Sequence, residues 1–157
     1  MLALATLVYL VKDQRTLMIH RATRTGDWHS GKYNGLGGKL QEGETPWECA
    51  RREVQEESGL TLTKGRFKGH LLFPHFDPFG RDWLVFVYRG DVFEGELKEG
   101  TEEGKPLWVP DHDIGLLNLW EGDHYFLPYI YGHDDTVFDG KFYYKEGHLT
   151  AYAINLL

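Results

Sequence analysis

The segment from residue 34 to residue 60 constrains the fold most, because a glycine-dense turn leads directly into a strongly capped helix. Thr45 is a suitable N-cap, Pro46 fits the first helical position, and Glu48 completes a capping box. Gly59 suits the left-handed conformation that ends many helices. The sequence therefore predicts a helix between Thr45 and Gly59, preceded by a loop whose backbone other groups can approach closely.

This helix has one apolar face, because Trp47, Ala50 and Val54 recur at helical spacing. Such a face packs on a sheet, and apolar runs rich in β-branched residues predict that sheet. The predicted strands are Leu4–Val11, Thr16–Arg21 (paired with the first), Arg66–Phe73, Trp83–Tyr88, Leu107–Val109, and a terminal hairpin of Val137–Lys145 and Leu149–Ile154. A second helix is expected at Asp123–Tyr131, broken or kinked at Pro128. This order predicts an α+β fold with a mixed β-sheet.

Size and charge narrow the function classes. The 157 residues suffice for one domain with a hydrophobic core, expected to span residues 1–157. The net charge of −7 fits polymeric nucleic acid poorly, because phosphate neutralisation needs clustered Lys and Arg. No apolar run approaches the roughly 18 residues that span a bilayer, so no membrane partner is expected. Cys49 is the single cysteine, which excludes an intrachain disulfide and favours the cytoplasm.

Three glutamates, Glu53, Glu56 and Glu57, stand at positions i, i+3 and i+4 of the predicted helix and so share one face. Like charges repel at this spacing, and the nearby helix C-terminus disfavours negative charge. A divalent cation would turn the repulsion into coordination, since Mg²⁺ prefers carboxylate, water and phosphate oxygens. The alternative is an acidic helix face that is simply solvated.

The stretch from Gly38 to Leu60 resembles the Nudix box, in which glycines, an Arg-Glu pair and two adjacent glutamates stand at fixed spacings. Every defined position of that signature is filled: Gly38, Glu44, Arg52, Glu53, Val54, Glu56, Glu57, Gly59 and Leu60. The resemblance implies an α/β/α Nudix sandwich in which the box forms a loop–helix–loop. It also implies a hydrolase that cleaves a nucleoside diphosphate linked to another group.

The resemblance also assigns roles within the box. The implied metal ligands are Glu53, Glu56, Glu57 and the Gly38 carbonyl, with Mg²⁺ as the expected ion and Mn²⁺ as its substitute. Arg52 would hold a glutamate in place, and Glu44 would support the metal shell. Metal ions that bridge phosphates neutralise charge, polarise phosphorus and lower the pKa of an attacking water, which agrees with this assignment.

Two further stretches, Asn34–Leu40 and Trp120–His124, are similar to the MutT-like purine nucleoside triphosphatases, and to the bacterial MutX group among them. The likeness implies that Asn34 and Asp123 bond a base edge and that Trp120 stacks on a purine. Alternatives stay open from the residues alone. Asn34 also suits a loop cap, Trp120 a core position, and Asp123 the N-cap of the next helix.

Other candidates lie in loops. Trp28 is a candidate to close the base pocket, or else an anchor for its loop. Glu103 resembles an additional carboxylate near the metal, as a ligand or a general base, or else belongs to a solvated acidic loop. Arg21, Arg24 and Lys39 are candidates for the phosphate tail, although basic loop residues often face water.

The resulting hypothesis is a Nudix hydrolase, an acid anhydride hydrolase of nucleotide pool sanitation. It would convert a purine (deoxy)nucleoside triphosphate, such as 8-oxo-dGTP, to the monophosphate and pyrophosphate. One alternative is a pyrophosphohydrolase of another nucleoside diphosphate derivative or of an RNA 5′ end, and another is a catalytically silent nucleotide-binding regulator. The expected partner is a small nucleotide, with the chain as a monomer or homodimer.

Overall fold

A computed structural model describes residues 1–23, 25–102, 104–132 and 134–157. Two predicted site residues, Arg24 and Glu103, lie outside these ranges. The strands, β1 to β8 in chain order, are Leu2–Lys12, Arg15–Arg21, Tyr33–Asn34, Thr61–Phe73, Asp82–Glu94, Gly104–Pro110, Phe138–Lys145 and His148–Leu156. The α-helices, α1 to α3, are Pro46–Ser58, Asp123–Phe126 and Pro128–Tyr131, and a 3-10 helix spans Asp111–Leu116.

The sheet is built around β1, which pairs in parallel with β5 from Leu2 to Leu10. β5 pairs antiparallel with β4, and β4 pairs in parallel with β7. β8 pairs antiparallel with β7 and forms an outer edge. The predicted mixed sheet is therefore confirmed, and it joins strands from both ends of the chain.

β2 stays beside β1 only at the two residue pairs next to their connecting turn. Beyond the turn it pairs along its whole length with β6 instead. The prediction of a strand at Thr16–Arg21 is confirmed, but its pairing with the first strand holds only at the turn. Leu17 and Met18 are both fully buried, in two different apolar clusters, so β2 lies between packed layers on both of its faces.

β1 is buried on both faces and divides the core into two clusters. Val8 and Leu10 pack in the cluster to which α1 contributes Ala50 and Val54. Tyr9 packs in the other cluster, with apolar residues of α2 and α3. Burial of each such side chain stabilises the fold by about 1.5–3 kcal/mol relative to its exposure. Helices thus cover both faces of the sheet, which confirms the α/β/α arrangement.

Helix α1 begins and ends where the sequence predicts. The Thr45 hydroxyl accepts from the Glu48 N–H at 3.1 Å, and the Glu48 carboxylate accepts from the Thr45 N–H at 3.0 Å. Gly59 follows the helix in the left-handed region, with φ of 80°. Pro128 divides the predicted second helix into α2 and α3, because proline has no N–H for the helical ladder.

The sequence predicts several strands shorter than they are, most of all β4, β5 and β6, and misses two short elements. β4 begins at Thr61 and β5 ends at Glu94, beyond the predicted limits. The first half of β4 is mostly exposed and polar, and its pairing is irregular near Gly65 and Gly69. The sequence there therefore lacks the alternation of apolar residues that predicts a strand. β3 and the 3-10 helix are too short to show a period. In the ranges described, no helix is long and apolar enough to cross a membrane.

Candidate active site

The glycine turn runs alongside β1 and is bonded to it through the backbone. Leu36 exchanges hydrogen bonds of 2.6 and 2.9 Å with Val8, and the Gly38 carbonyl accepts from the Thr6 N–H at 2.9 Å. Gly37 has φ of +141°, and any side chain there would collide with the Thr6 carbonyl. Glycine at this position therefore lets the turn lie directly against the strand.

Helix α1 brings two glutamates to this turn. The Gly37 N–H donates to Glu57 Oε1 at 3.1 Å. A Cβ atom on Gly38 would lie 2.5 Å from Glu53 Oε1, so the missing side chain leaves room for that carboxylate. The carboxyl group of Glu53 also lies close enough to that of Glu57 to raise the Glu57 pKa. The turn and the helix thus form one paired-carboxylate site.

The two carboxyl groups perturb each other. Burial raises the pKa of Glu57 to about 8, and the hydrogen bond and charge of Glu53 add to the rise. The Gly37 N–H and the charge of Arg21 act in the opposite direction. Two carboxyl groups this close therefore hold a proton near neutral pH, and a bound cation would displace that proton.

Arg52 orients the carboxylates from the outer side of the helix. Its guanidinium donates to both oxygens of Glu44, at 2.6 and 3.0 Å, and to Glu53 Oε1 at 2.9 Å. The hydrogen bonds from Arg52 lower the pKa of Glu44 to about 2. A fixed bidentate pair of this kind has a planar geometry that lysine does not offer. Arg52 therefore links Glu44 to the paired carboxylates.

Glu56 is placed differently from the other two helix glutamates. Its side chain is 56% exposed and lies 3.3 Å from Arg52 Nη1. Lys98 donates to its backbone carbonyl. Over the residues that the structure describes, no three potential ligand side chains converge on one point that could hold a metal ion. The structure thus brings Glu53 and Glu57 together and leaves Glu56 at the rim.

Two predicted metal ligands remain, the Gly38 carbonyl and Glu103. The Gly38 carbonyl faces Thr6 and also lies 3.5 Å from Cys49 Sγ, inside the packing of β1 and α1. Glu103 lies outside the described residues. The donor set that the structure does bring together, the carboxylate oxygens of Glu53 and Glu57, suits a hard divalent cation.

A cavity of about 220 Å³ adjoins the glycine turn. Its polar and aromatic lining includes His29, Asn34, Phe73, Phe76, Trp83, Trp120, Asp123 and Tyr144, and Gly37 and Gly38 form part of its wall. Pockets for whole drug-sized ligands are about 300–1,000 Å³, so this space suits a single flat ring system. The structure brings together Asn34, Trp120 and Asp123, the three predicted base contacts.

Asp123 is the charged group of this cavity. It is 8% exposed, and burial raises its pKa to about 7, while the charge of Lys32 acts in the opposite direction. It is the first residue of α2, whose N-cap is Gly122, so the N-cap alternative for Asp123 is wrong. Trp120, at 6% exposed, both packs in the interior and lines the cavity.

Basic side chains flank the carboxylates and the cavity. A cleft of about 300 Å³ is lined by Arg21, Glu56, Glu57 and Lys98 among others. Arg21 was predicted from the sequence as a contact of the phosphate tail. Lys98 was not predicted, because it lies between β5 and β6 in a segment without a recognisable motif. The Nζ atom of Lys39 lies 5.7 Å from the centre of the Trp83 ring, at the cavity wall.

Trp28 and Arg24 are the two other predicted substrate residues. Trp28 is 55% exposed and packs against Gly147 in the turn between β7 and β8, at 3.7 Å from where a Cβ atom would stand. It is absent from the cavity lining, so its position agrees with a loop anchor. Arg24 lies outside the described residues.

The sequence reading missed the aromatic wall of the cavity. Phe73, Phe76 and Trp83 come from the ends of β4 and β5 and their connection, and Tyr144 comes from the terminal hairpin. Two phenylalanines beside a predicted loop were the available signal. No local pattern indicates that residue 144 returns to the same place, because that contact depends on the pairing of β7 with β4.

The chain matches the NUDIX domain over residues 1–130. It belongs to the NUDIX family. The Nudix chain is 37% identical over 127 residues to an oxidized purine nucleoside triphosphate hydrolase of Danio rerio, covering 80% of this chain and 77% of that one. The protein of the same description from Mus musculus is 36% identical over 131 residues, covering 81% and 78%.

The Nudix fold is matched over nearly the whole chain. The crystal structure of a mutator MutT protein from Bacillus halodurans superposes with a TM-score of 0.85 and 26% sequence identity. The match covers 98% of this chain and 97% of that one. The protein is a Nudix hydrolase, and Nudix hydrolases generally need a divalent metal ion.

Proposed function

We propose that this Nudix hydrolase cleaves a purine (deoxy)nucleoside triphosphate, with 8-oxo-dGTP as the leading candidate, into the monophosphate and pyrophosphate. Two relatives with more than a third of their aligned residues identical carry the description of oxidized purine nucleoside triphosphate hydrolases. The proposal takes that substrate class to this chain because the Gly37–Gly38 turn adjoins both the cavity and the two carboxylates.

The shared wall of Gly37 and Gly38 is the observation that carries the proposal. Both glycines line the cavity, and each touches one glutamate of the pair. A base seated in the cavity would therefore direct its phosphate chain over the glycine turn toward Glu53 and Glu57. Holding a reactant in such an orientation supplies a large part of the rate enhancement in phosphate chemistry.

Glu53, Glu56 and Glu57 are the proposed ligands for Mg²⁺, with Mn²⁺ as a substitute. When bound, the ion would supply charge neutralisation at the phosphates and a more acidic water. The chain's own contribution is positional. Arg52, fixed by Glu44, holds the Glu53 carboxylate against the glycine turn, and the Gly37 N–H holds Glu57. Glu56, at the rim, would complete the ligand set.

Arg21 and Lys98 are proposed to bind the phosphate tail. Both line the cleft beside Glu56 and Glu57, so that positive charge stands next to the negative charge of the carboxylates. This alternation suits a polyphosphate, whose oxygens pair with cations and bridge to a metal. Lys39, beside Trp83, is a further candidate where the cavity approaches the glycine turn.

Asn34, Trp120 and Asp123 are proposed to read the base. An amide offers both a donor and an acceptor, and a buried carboxyl with its pKa near 7 can donate or accept near neutral pH. Trp120 offers an aromatic surface for a flat ring. These groups suit a purine edge that presents both donors and acceptors.

The test is a substrate panel with Mg²⁺ that includes 8-oxo-dGTP, dGTP, GTP, ATP, ADP-ribose and an RNA with a 5′-triphosphate. The products are separated as pyrophosphate and orthophosphate. We expect pyrophosphate from a purine triphosphate at the highest kcat/KM of the panel. Faster turnover of ADP-ribose or of RNA would favour another pyrophosphohydrolase, and binding without turnover would favour a silent regulator.

We further propose that residues 1–157 act as one domain, in the cytoplasm, as a monomer or homodimer. The sheet that joins β1 to β8 supports the single domain. The single buried, free cysteine supports a reducing compartment. Light scattering of the purified protein would test its oligomeric state, and a reporter fusion would test its cellular location.

A further inference from the structure

His29 contacts the tryptophan of the cavity in two ways. The Trp120 indole Nε1–H, the only polar atom of that side chain, points to His29 Nδ1 at 3.3 Å. The two rings also meet edge to face, with centres 5.0 Å apart. Both residues line the cavity. His29 is therefore the polar partner of a buried ring that forms the cavity wall.

The other contacts of Trp120 are apolar or electrostatic and do not satisfy its N–H. Tyr144 meets the ring edge to face at 5.2 Å, and Phe76 lies 5.8 Å away between centres. The Lys32 ammonium lies over the ring, 5.5 Å from its centre. These ring contacts depend only weakly on how the indole is oriented, whereas the hydrogen bond to His29 requires one orientation of its N–H.

This hydrogen bond requires one protonation state of His29. A neutral imidazole that accepts at Nδ1 carries its proton on Nε2. Protonation makes both ring nitrogens donors, so the Trp120 N–H would then face another N–H and lose its acceptor. A buried donor without an acceptor is costly, so the ring would move to find a new partner.

The surroundings of His29 favour its neutral form. Burial lowers the pKa of His29, and the positive charges of Arg21 on β2 and Lys32 in its own loop lower it further. Asp27, from the same loop, acts in the opposite direction. Asp123, across the same cavity, is held largely protonated below neutral pH by its own burial. The neutral imidazole thus persists through neutral pH and is lost on acidification.

We propose that His29 is a positioning residue that holds Trp120 as the wall of the base cavity, so that affinity for the nucleotide base falls when His29 is protonated. The proposal rests on the proposed function, in which this cavity takes the base. It makes base recognition sensitive to acid through a residue of the cavity wall that is not among the proposed metal ligands or phosphate contacts.

Two substitutions distinguish the role of His29 as a hydrogen-bond acceptor from its role as a titrating group. His29→Asn keeps an acceptor oxygen near the position of Nδ1 but does not titrate, and His29→Leu removes the acceptor. KM and kcat for the best triphosphate of the panel are measured from pH 5.5 to 8. We expect the KM of the wild type to rise about fivefold on acidification relative to His29→Asn, and KM of His29→Leu to be about fivefold higher throughout. His112→Asn, which replaces an exposed histidine that does not line the cavity, should follow the wild type.

A second readout needs no turnover. The indole N–H resonance of Trp120, assigned by its loss in Trp120→Phe, should titrate with the His29 ring in the wild type and stay constant in His29→Asn. If the panel shows no nucleotide hydrolysis, the proposed function fails, but the resonance still tests whether His29 protonation affects Trp120. The proposal is overturned if hydrolysis is found but KM has the same pH dependence in the wild type and in His29→Asn. It is also overturned if the Trp120 resonance does not shift as His29 is protonated.

Discussion

Gly37 donates its backbone N–H to Glu57 Oε1 over 3.1 Å, although twenty positions separate them in the chain. The bond joins the wall of the cavity to the carboxylate pair, because Gly37 is also part of that wall. The glycine turn and helix α1 therefore behave as one unit in which a change on either side reaches the other.

Gly38→Ala should reduce turnover far more than it reduces stability. The new Cβ atom would meet the flexible end of Glu53, which can move aside at small cost but then leaves its place beside Glu57. We expect kcat to fall about 100-fold, with a loss of about 1 kcal/mol or less in the free energy of unfolding. Gly115→Ala, where a Cβ atom meets nothing within 4 Å, is the matched control. Equal kcat in the two variants would refute the prediction.

Glu57→Gln should abolish most metal-dependent turnover while the fold survives. Glutamine keeps the shape and can still accept from Gly37, but it removes one negative charge from the pair. Substitution of a metal ligand should lower turnover by at least about 100-fold, the largest loss typical of residues that only support the ligands. Kinetics over a range of Mg²⁺ concentrations and circular dichroism check this, with Glu42→Gln in the exposed turn as control. Full activity in Glu57→Gln would remove this residue from the metal site.

Much of this site was predictable because the box is local in sequence. Thr45 and Gly59 fix the helix ends, and helix geometry alone brings Glu53 and Glu57 to one face. The same geometry does not tell how far each side chain reaches, so the sequence does not predict that Glu56, a proposed ligand, lies at the rim beside Arg52. The aromatic wall depends on long-range pairing, and Tyr144 reaches the cavity only because β7 lies beside β4.

The predicted base contacts were likewise correct in part. Asn34 and Trp120 were predicted by resemblance, and the structure places both in one cavity. Trp28 was a candidate on loop position alone, and it packs on Gly147 instead. His29, one residue further along, faces the cavity. Neighbouring residues in an irregular loop point in unrelated directions, and no periodicity distinguishes them.

Arg52→Lys should lower kcat by about 10–100-fold with little change in KM. Lysine keeps the charge but cannot donate in parallel to both oxygens of Glu44 while reaching Glu53. Arg51→Lys is the control, because Arg51 donates to the Leu62 carbonyl on the other side of α1. The Arg52→Lys, Glu44→Gln double variant should be no slower than the worse single variant. Additive losses would mean that the two residues act independently.

Asp123→Asn should change how stability depends on pH. Between the model-peptide pKa of 3.8 and the folded pKa of about 7, the folded protein holds a proton that the unfolded chain has lost. The free energy of unfolding therefore falls as pH rises through this window. The asparagine variant should gain roughly 2–4 kcal/mol over the wild type between pH 4 and pH 8. Urea unfolding at several pH values measures this, with the exposed Asp139→Asn as the matched control.

The central claim is that one continuous site holds the base in the Trp120 cavity and the phosphates at Glu53 and Glu57. A crystal structure of the protein with Mg²⁺ and a non-hydrolysable purine triphosphate tests it most directly. The account predicts a metal ion on the Glu53 and Glu57 carboxylates and the purine against Trp120, with the phosphates crossing Gly37 and Gly38. A base bound outside this cavity, or a metal ion bound away from both glutamates, would contradict it.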